Sequence, residues 1–151
     1  MRNERGMDMR KLLCLLLVLC LLPACAFAID IDGFNTYAYV FDVPEIGESV
    51  GESNGYVFYE SDGCIISLKE ENGEIKSVVI NGDGISFMAY AMAAIMVIDS
   101  DSSHLSDNAG QFISMFMMNR NKEKETYGYL AAGGFFVISK NDKGYIFLAG
   151  K

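Results

Sequence analysis

The residues that could carry covalent chemistry are few. His104 is the only histidine, and Cys64 is the only cysteine after residue 28. A thiol beside an imidazole could form a nucleophilic pair. The strand pattern below, however, puts Cys64 on an aliphatic face, where a thiol stays protonated and inert. Asp99, Asp101 and Ser103 alternate like the opening of a calcium loop. His104 replaces the central glycine of such a loop, and Gly110 stands where its bidentate glutamate belongs, so a solvated connector is the expectation. A zinc site needs more His and Cys than these. Gly133-Gly134 falls between two strand-like runs and not ahead of a helix, so it reads as a turn and not as a phosphate cradle. No catalytic constellation, metal site or cofactor motif emerges, and the chain reads as a non-enzyme.

Binding chemistry is better represented. Tyr and Phe recur in the strand-like runs, and tyrosine joins a large apolar area to a polar tip, which suits interfaces. A two-residue hairpin turn pairs its flanking residues directly, and paired residues share a face. Across Asp62-Gly63, Tyr59 faces Ile66 and Val57 faces Leu68; across Asn72-Gly73, Glu70 faces Ile75 and Ile66 faces Val79. Val57, Tyr59, Cys64, Ile66, Leu68, Ile75 and Val79 then form a face for helices to cover. The opposite face carries Tyr56, Phe58, Glu60, Ile65, Ser67, Lys69, Lys76 and Val78. In the second half the same reasoning joins Tyr127 and Tyr129 to Phe136, Ile138, Lys140, Tyr145 and Phe147, with Leu130, Ala132, Phe135, Val137, Ile146 and Leu148 turned away. The expected partner-binding surface is therefore Tyr56, Phe58, Tyr127, Tyr129, Phe136, Tyr145 and Phe147.

The elements that would position these residues follow from periodicity. Phe34, Tyr37, Ala38 and Phe41 stand at i, i+3, i+4 and i+7, a helical stripe with Asp32 as N-cap and Pro44 beyond its end. A strand through Tyr37, Tyr39 and Phe41 would leave Phe34 on the wrong face. Residues 45–54 read as an acidic loop. Runs 56–61, 64–70 and 74–80, separated by Asp62-Gly63 and Asn72-Gly73, predict an antiparallel meander. Residues 85–98 predict a helix capped by Asp83; only Ser86 in it is not apolar, so it must be covered. A second helix over 106–119 carries Ala109, Phe112, Ile113 and Phe116 on one stripe. Met88, Met92 and Met96 offer a rival adaptable surface or a core stripe. After a solvated connector at 119–125, runs 126–132, 135–140 and 145–149 predict a second meander.

The two meanders align at an offset of 71, with Tyr56 on Tyr127, Gly63 on Gly134 and Gly73 on Gly144, which suggests an internal duplication. The tandem helix-plus-meander layout resembles that of beta-lactamase-inhibitor-protein-like secreted domains. That resemblance implies a protein-binding sheet and carries over no residue.

The N-terminus sets the compartment. Arg2, Arg5, Arg10 and Lys11 precede an apolar run over 12–22, and Ala26-Phe27-Ala28 supplies a small-residue cleavage pattern. Residues 1–28 thus read as a signal peptide and 29–151 as one secreted domain. Leu22-Pro23-Ala24-Cys25 is an imperfect lipobox, so a lipoprotein anchored at Cys25 is the alternative. Beyond residue 28 remain 8 basic and 18 acidic residues, a net charge of −10, which disfavours nucleic acid and anionic membranes as partners. The expectation is an α+β domain of order α-βββ-αα-βββ, with helices on one face of an antiparallel sheet. It would bind a protein or peptide through the other face, or else self-associate as a structural or envelope-associated protein, with a homodimer as one form.

Overall fold

Local capping and turn chemistry set the element boundaries in the computed structural model, which describes residues 30–120 and 125–151. The expected signal peptide and Cys25 lie outside the described residues, as do residues 121–124 of the connector. Asp30 accepts the Gly33 N–H at 3.1 Å and caps α1 (Ile31–Val40), two residues before the expected Asp32. Phe34 and Ala38 are buried, with Tyr37 and Phe41 packed beside them, as the helical stripe requires. The expected loop over 45–54 contains a strand. Residues Gly51–Ser53 form β1 and pair with β2 (Tyr56–Ser61) across Asn54-Gly55. That turn takes φ 53° and 79°, close to the 47° and 76° of Asp62-Gly63 and the 55° and 74° of Asn72-Gly73, and two successive positive values match the twist of a hairpin.

β3 (Cys64–Glu71) and β4 (Glu74–Gly82) continue the meander. The N-cap Asp83 then accepts the Gly84 N–H at 2.7 Å and starts α2 (Gly84–Asp99). A 3-10 turn at Ser102–His104 leads into α3 (Leu105–Asn119). β5 (Thr126–Tyr129), β6 (Phe135–Asn141) and β7 (Gly144–Gly150) close the chain. All seven strands form one antiparallel sheet in the order β1-β2-β3-β4-β7-β6-β5. Helices pack on one face of it, so the fold is two-layer α+β, with four strands in the first half where three were expected.

α2 lies over the central strands β4 and β7, flanked by α1 and α3. That position explains its composition: nearly every residue from Phe87 to Asp99 is buried, with Met88 and Met92 partly so against the core. α3 buries Phe112 and Phe116 but leaves Ile113 exposed. Rings from both helices and the sheet interlock, with Phe112 edge-on to Phe136 and Phe147, and Phe116 against Tyr145 at 4.8 Å.

Two local features shift the expected faces. β4 carries one extra residue at Lys76: Glu70 pairs with Ile75, yet Lys69 pairs with Ser77. This bulge reverses the alternation, so Val78 and Ile80 turn to the helices and Val79 turns away. The second feature is the β5–β6 connection. Gly133-Gly134 is not a two-residue turn; Tyr129 pairs with Phe135 across a five-residue loop, 130–134. Leu130 leaves the strand to enter the core, its N–H donating to Gly134 O at 2.8 Å. The pairing moves by an odd number of residues, so β6 and β7 present the opposite face to that expected. Phe136, Ile138, Tyr145 and Phe147 are buried beneath the helices, with half-buried Lys140 on the same side, and Phe135, Val137, Ile146 and Leu148 look outward. At the 71-residue offset Cys64 corresponds to Phe135 and Ile66 to Val137, which lie on opposite faces; only the order of helix then strands recurs.

Candidate functional site: the open sheet face

Alternation along each strand and pairing between strands generate rows of side chains on the helix-free face. The central row runs Phe58, Ser67, Val79, Leu148, Val137 and Tyr127, each paired directly with the next across six adjacent strands. One flanking row contains Ser77, Gly150, Phe135 and Tyr129. The other contains Glu60, Ile65, Asn81, Ile146 and Ser139. The central row holds no charge. Four large apolar side chains on this face stand well out: Tyr129 is 75% exposed, Tyr127 57%, Ile65 43% and Phe135 39%. The remaining apolar members are half-buried against one another.

Tyr56 is fixed by its hydroxyl, 3.0 Å from Ser77 Oγ. With Ser53, Asn54, Phe58, Ser67 and Val79 it lines a shallow cleft of about 250 Å³ at the β1 end. At the opposite edge Tyr127 donates to the Glu125 carboxylate at 2.7 Å, which holds its phenol above the usual value. Charge is confined to the border. At the β3–β4 hairpin Lys69 pairs with Glu71 at 3.3 Å, and Glu74 meets both Lys76 and Lys151, the latter at 2.9 Å. Hydrogen bonds from Lys151 and Lys76 pull the Glu74 carboxyl down to about 2.

Of the seven residues expected to bind, Tyr56, Phe58, Tyr127 and Tyr129 lie on this face. Phe136, Tyr145 and Phe147 do not: they belong to the buried aromatic cluster under α2 and α3, because the five-residue loop inverts β6 and β7. In their place the face gains Phe135, Val137, Ile146 and Leu148, which pairing across Gly133-Gly134 had assigned inward. Ala131-Ala132 ahead of the two glycines was the available signal, since small residues there suit a wide loop better than a strand end.

The residues with chemical potential are engaged elsewhere. Cys64 is buried with its thiol against Gly82, and burial raises its pKa. Asp99 is buried at the end of α2, not displayed on a calcium loop. It accepts from Asn108 and sits 3.1 Å from His104 Nδ1, and this contact raises the His104 pKa. Asn108 in turn accepts the Ala131 N–H at 3.2 Å, so the cluster ties α2 and α3 to the 130–134 loop. Lys140 Nζ donates to Arg120 O at 2.9 Å and Asn119 Nδ2 to Ile138 O at 2.8 Å, pinning the end of α3 to β6. Among the described residues no group of three or more His, Cys, Asp or Glu side chains is placed to hold a metal ion, and no helix is long and apolar enough to cross a membrane. No family model matches the chain, and no curated protein or solved structure matches it.

Proposed function

We propose that this chain is an exported, non-enzymatic binding domain that engages a protein or peptide through the open face of its sheet. The uncharged central row from Phe58 to Tyr127 carries the reading. A contiguous exposed apolar patch with a polar border has the anatomy of an interaction surface. Tyr127 and Tyr129 supply rigid aromatic area at its edge. The resemblance of the helix-plus-meander layout to beta-lactamase-inhibitor-protein-like domains points the same way. Export rests on the basic, apolar and Ala26-Phe27-Ala28 segments of the N-terminus.

Photocrosslinking separates this face from the helical one. A benzophenone amino acid placed at Tyr129 should capture a partner, whereas the same group at Tyr39, 77% exposed on α1, should not. Capture from Tyr39 alone would overturn the assignment. Mass spectrometry of the exported product should find Ile29 as its first residue; a lipidated Cys25 would replace secretion with anchoring.

A further inference from the structure

We infer that the occupant of the open face is a second copy of this chain, stacked sheet on sheet about a two-fold axis. The inference rests on the binding reading above and adds the identity of the partner.

Three observations carry it. First, β6 and β7 are apolar on both sides. Phe135-Phe136-Val137-Ile138 in β6 and Tyr145-Ile146-Phe147-Leu148 in β7 have no polar alternate positions. Such runs belong to strands covered on both faces, whereas a sheet with one wet face alternates apolar with polar. Among the described residues the helices cover one face only.

Second, the dimensions fit a sheet better than a peptide. Seven strands about 4.8 Å apart, each presenting about five residues at about 3.3 Å, give a face of about 30 by 17 Å, or about 500 Å² per copy. Two copies would bury about 1,000 Å², the lower bound for a specific interface. A single extended peptide laid along the central row would leave the two flanking rows wet. A second copy supplies a row of equal length and equal twist, and aligned sheets stack about 10 Å apart with their strands about 30° from parallel.

Third, the charges permit it. Apart from Glu60 at one end and Glu125 at the β5 edge, the acidic residues on this side are Glu71 and Glu74, each paired with lysine. The stack therefore opposes no unpaired carboxylates at its centre. The described chain begins on the other side of the sheet, where Ile31 of α1 lines a groove with Val57, Tyr59 and Leu68.

The test uses the full chain, expressed with its leader in an exporting host and recovered after processing. Sedimentation equilibrium from about 1 to 300 µM should show a monomer–dimer equilibrium, as an interface near the size limit would give. Both copies are acidic, so added salt should tighten the dimer by screening their repulsion; a basic partner would be released instead. Leu148→Glu and, independently, Val79→Glu should each weaken dimerisation at least tenfold while thermal unfolding confirms a folded chain. Ile113→Glu, on the exposed side of α3, should leave it unchanged. A dimer lost in Ile113→Glu but kept in both sheet variants overturns the inference. So does a monomer at every concentration, and thiol labelling of Val137→Cys then locates the failure. Ready labelling leaves the face open and the binding reading standing, with a different partner. Protection in the monomer means the chain covers its own sheet, and both readings fall.

Discussion

Gly128 sits between the two exposed tyrosines of β5, and its lack of a side chain is a packing requirement. It pairs directly with Phe136, whose ring lies across it. A Cβ at this position would stand 2.3, 2.5 and 2.8 Å from ring carbons Cζ, Cε1 and Cε2. Carbon–carbon contact is comfortable near 3.5 Å, so ring or strand must yield by about 1 Å. The ring has little room: Phe136 is fully buried, with Phe112 at 6.1 Å and Phe147 at 5.8 Å between centroids. Overpacking of this kind costs about 1–3 kcal/mol. The smaller conformational freedom of unfolded alanine returns about 0.4–1 kcal/mol. Gly128→Ala should therefore destabilise by about 0.5–2 kcal/mol and lower Tm by about 3–10 °C for a domain of this size.

Thermal unfolding followed by circular dichroism measures this directly. The decisive control is Phe136→Leu, which removes the ring atoms that clash. In that background Gly128→Ala should lose at least about 0.5 kcal/mol of its cost, a coupling expected of residues in contact. A neutral or stabilising Gly128→Ala, or a cost unchanged by Phe136→Leu, would refute the packing argument. The functional consequence is local. A displaced β5 moves Tyr127 and Tyr129, so Gly128→Ala should also weaken whatever the sheet face binds.

Tyr127→Ala and Tyr129→Ala should each change stability by less than about 0.5 kcal/mol, as surface substitutions do, whereas Phe147→Ala should cost about 3–5 kcal/mol, as buried rings do; urea unfolding of the three variants distinguishes surface from core. The Asp99 contact raises the His104 pKa, so its contribution to stability is complete below the unfolded value near 6.5 and fades as pH rises through the folded one. An NMR titration should place His104 above 6.5, and His104→Gln should remove the stability decline in that window; a midpoint at or below 6.5 contradicts the geometry. Glu74 is held down at about 2, so its pairing with Lys151 and Lys76 is intact above about 4.5 and is lost as pH falls toward 2. Glu74→Gln should flatten that part of the acid-unfolding profile, and an unchanged profile would show that the tether of the chain end contributes nothing.

Much of the fold is legible because its punctuation is chemical. Asp62-Gly63 and Asn72-Gly73 can hardly be anything but tight hairpins, and Asp83 ahead of a long apolar run marks a helix start. Asn54-Gly55 carries the same signal, but β1 is too short and too polar to stand out as a strand beside it. The 3-10 turn and the Asp99–His104–Asn108 cluster are not legible, since they depend on which polar side chains the tertiary fold brings together.

The candidate face is harder to read than the fold, and the reason bears on what the face is for. Alternation tells inside from outside only when one side of a strand is polar. In β2 and β3 it partly is: Glu60, Ser67 and Lys69 mark the helix-free side, and Tyr56 and Phe58 fall on it as expected. In β6 and β7 it is not. Phe135-Phe136-Val137-Ile138 and Tyr145-Ile146-Phe147-Leu148 are apolar at every position, so nothing within either run says which parity meets the helices. One odd-length change in the 130–134 loop then inverts four side chains on each side without leaving a mark in the hydropathy. A sheet meant to face water would carry the polar alternate positions that make such an inversion visible. Their absence here is the same fact that makes Phe136, Tyr145 and Phe147 interchangeable on paper with Phe135, Ile146 and Leu148, and it is what a second covering layer would require.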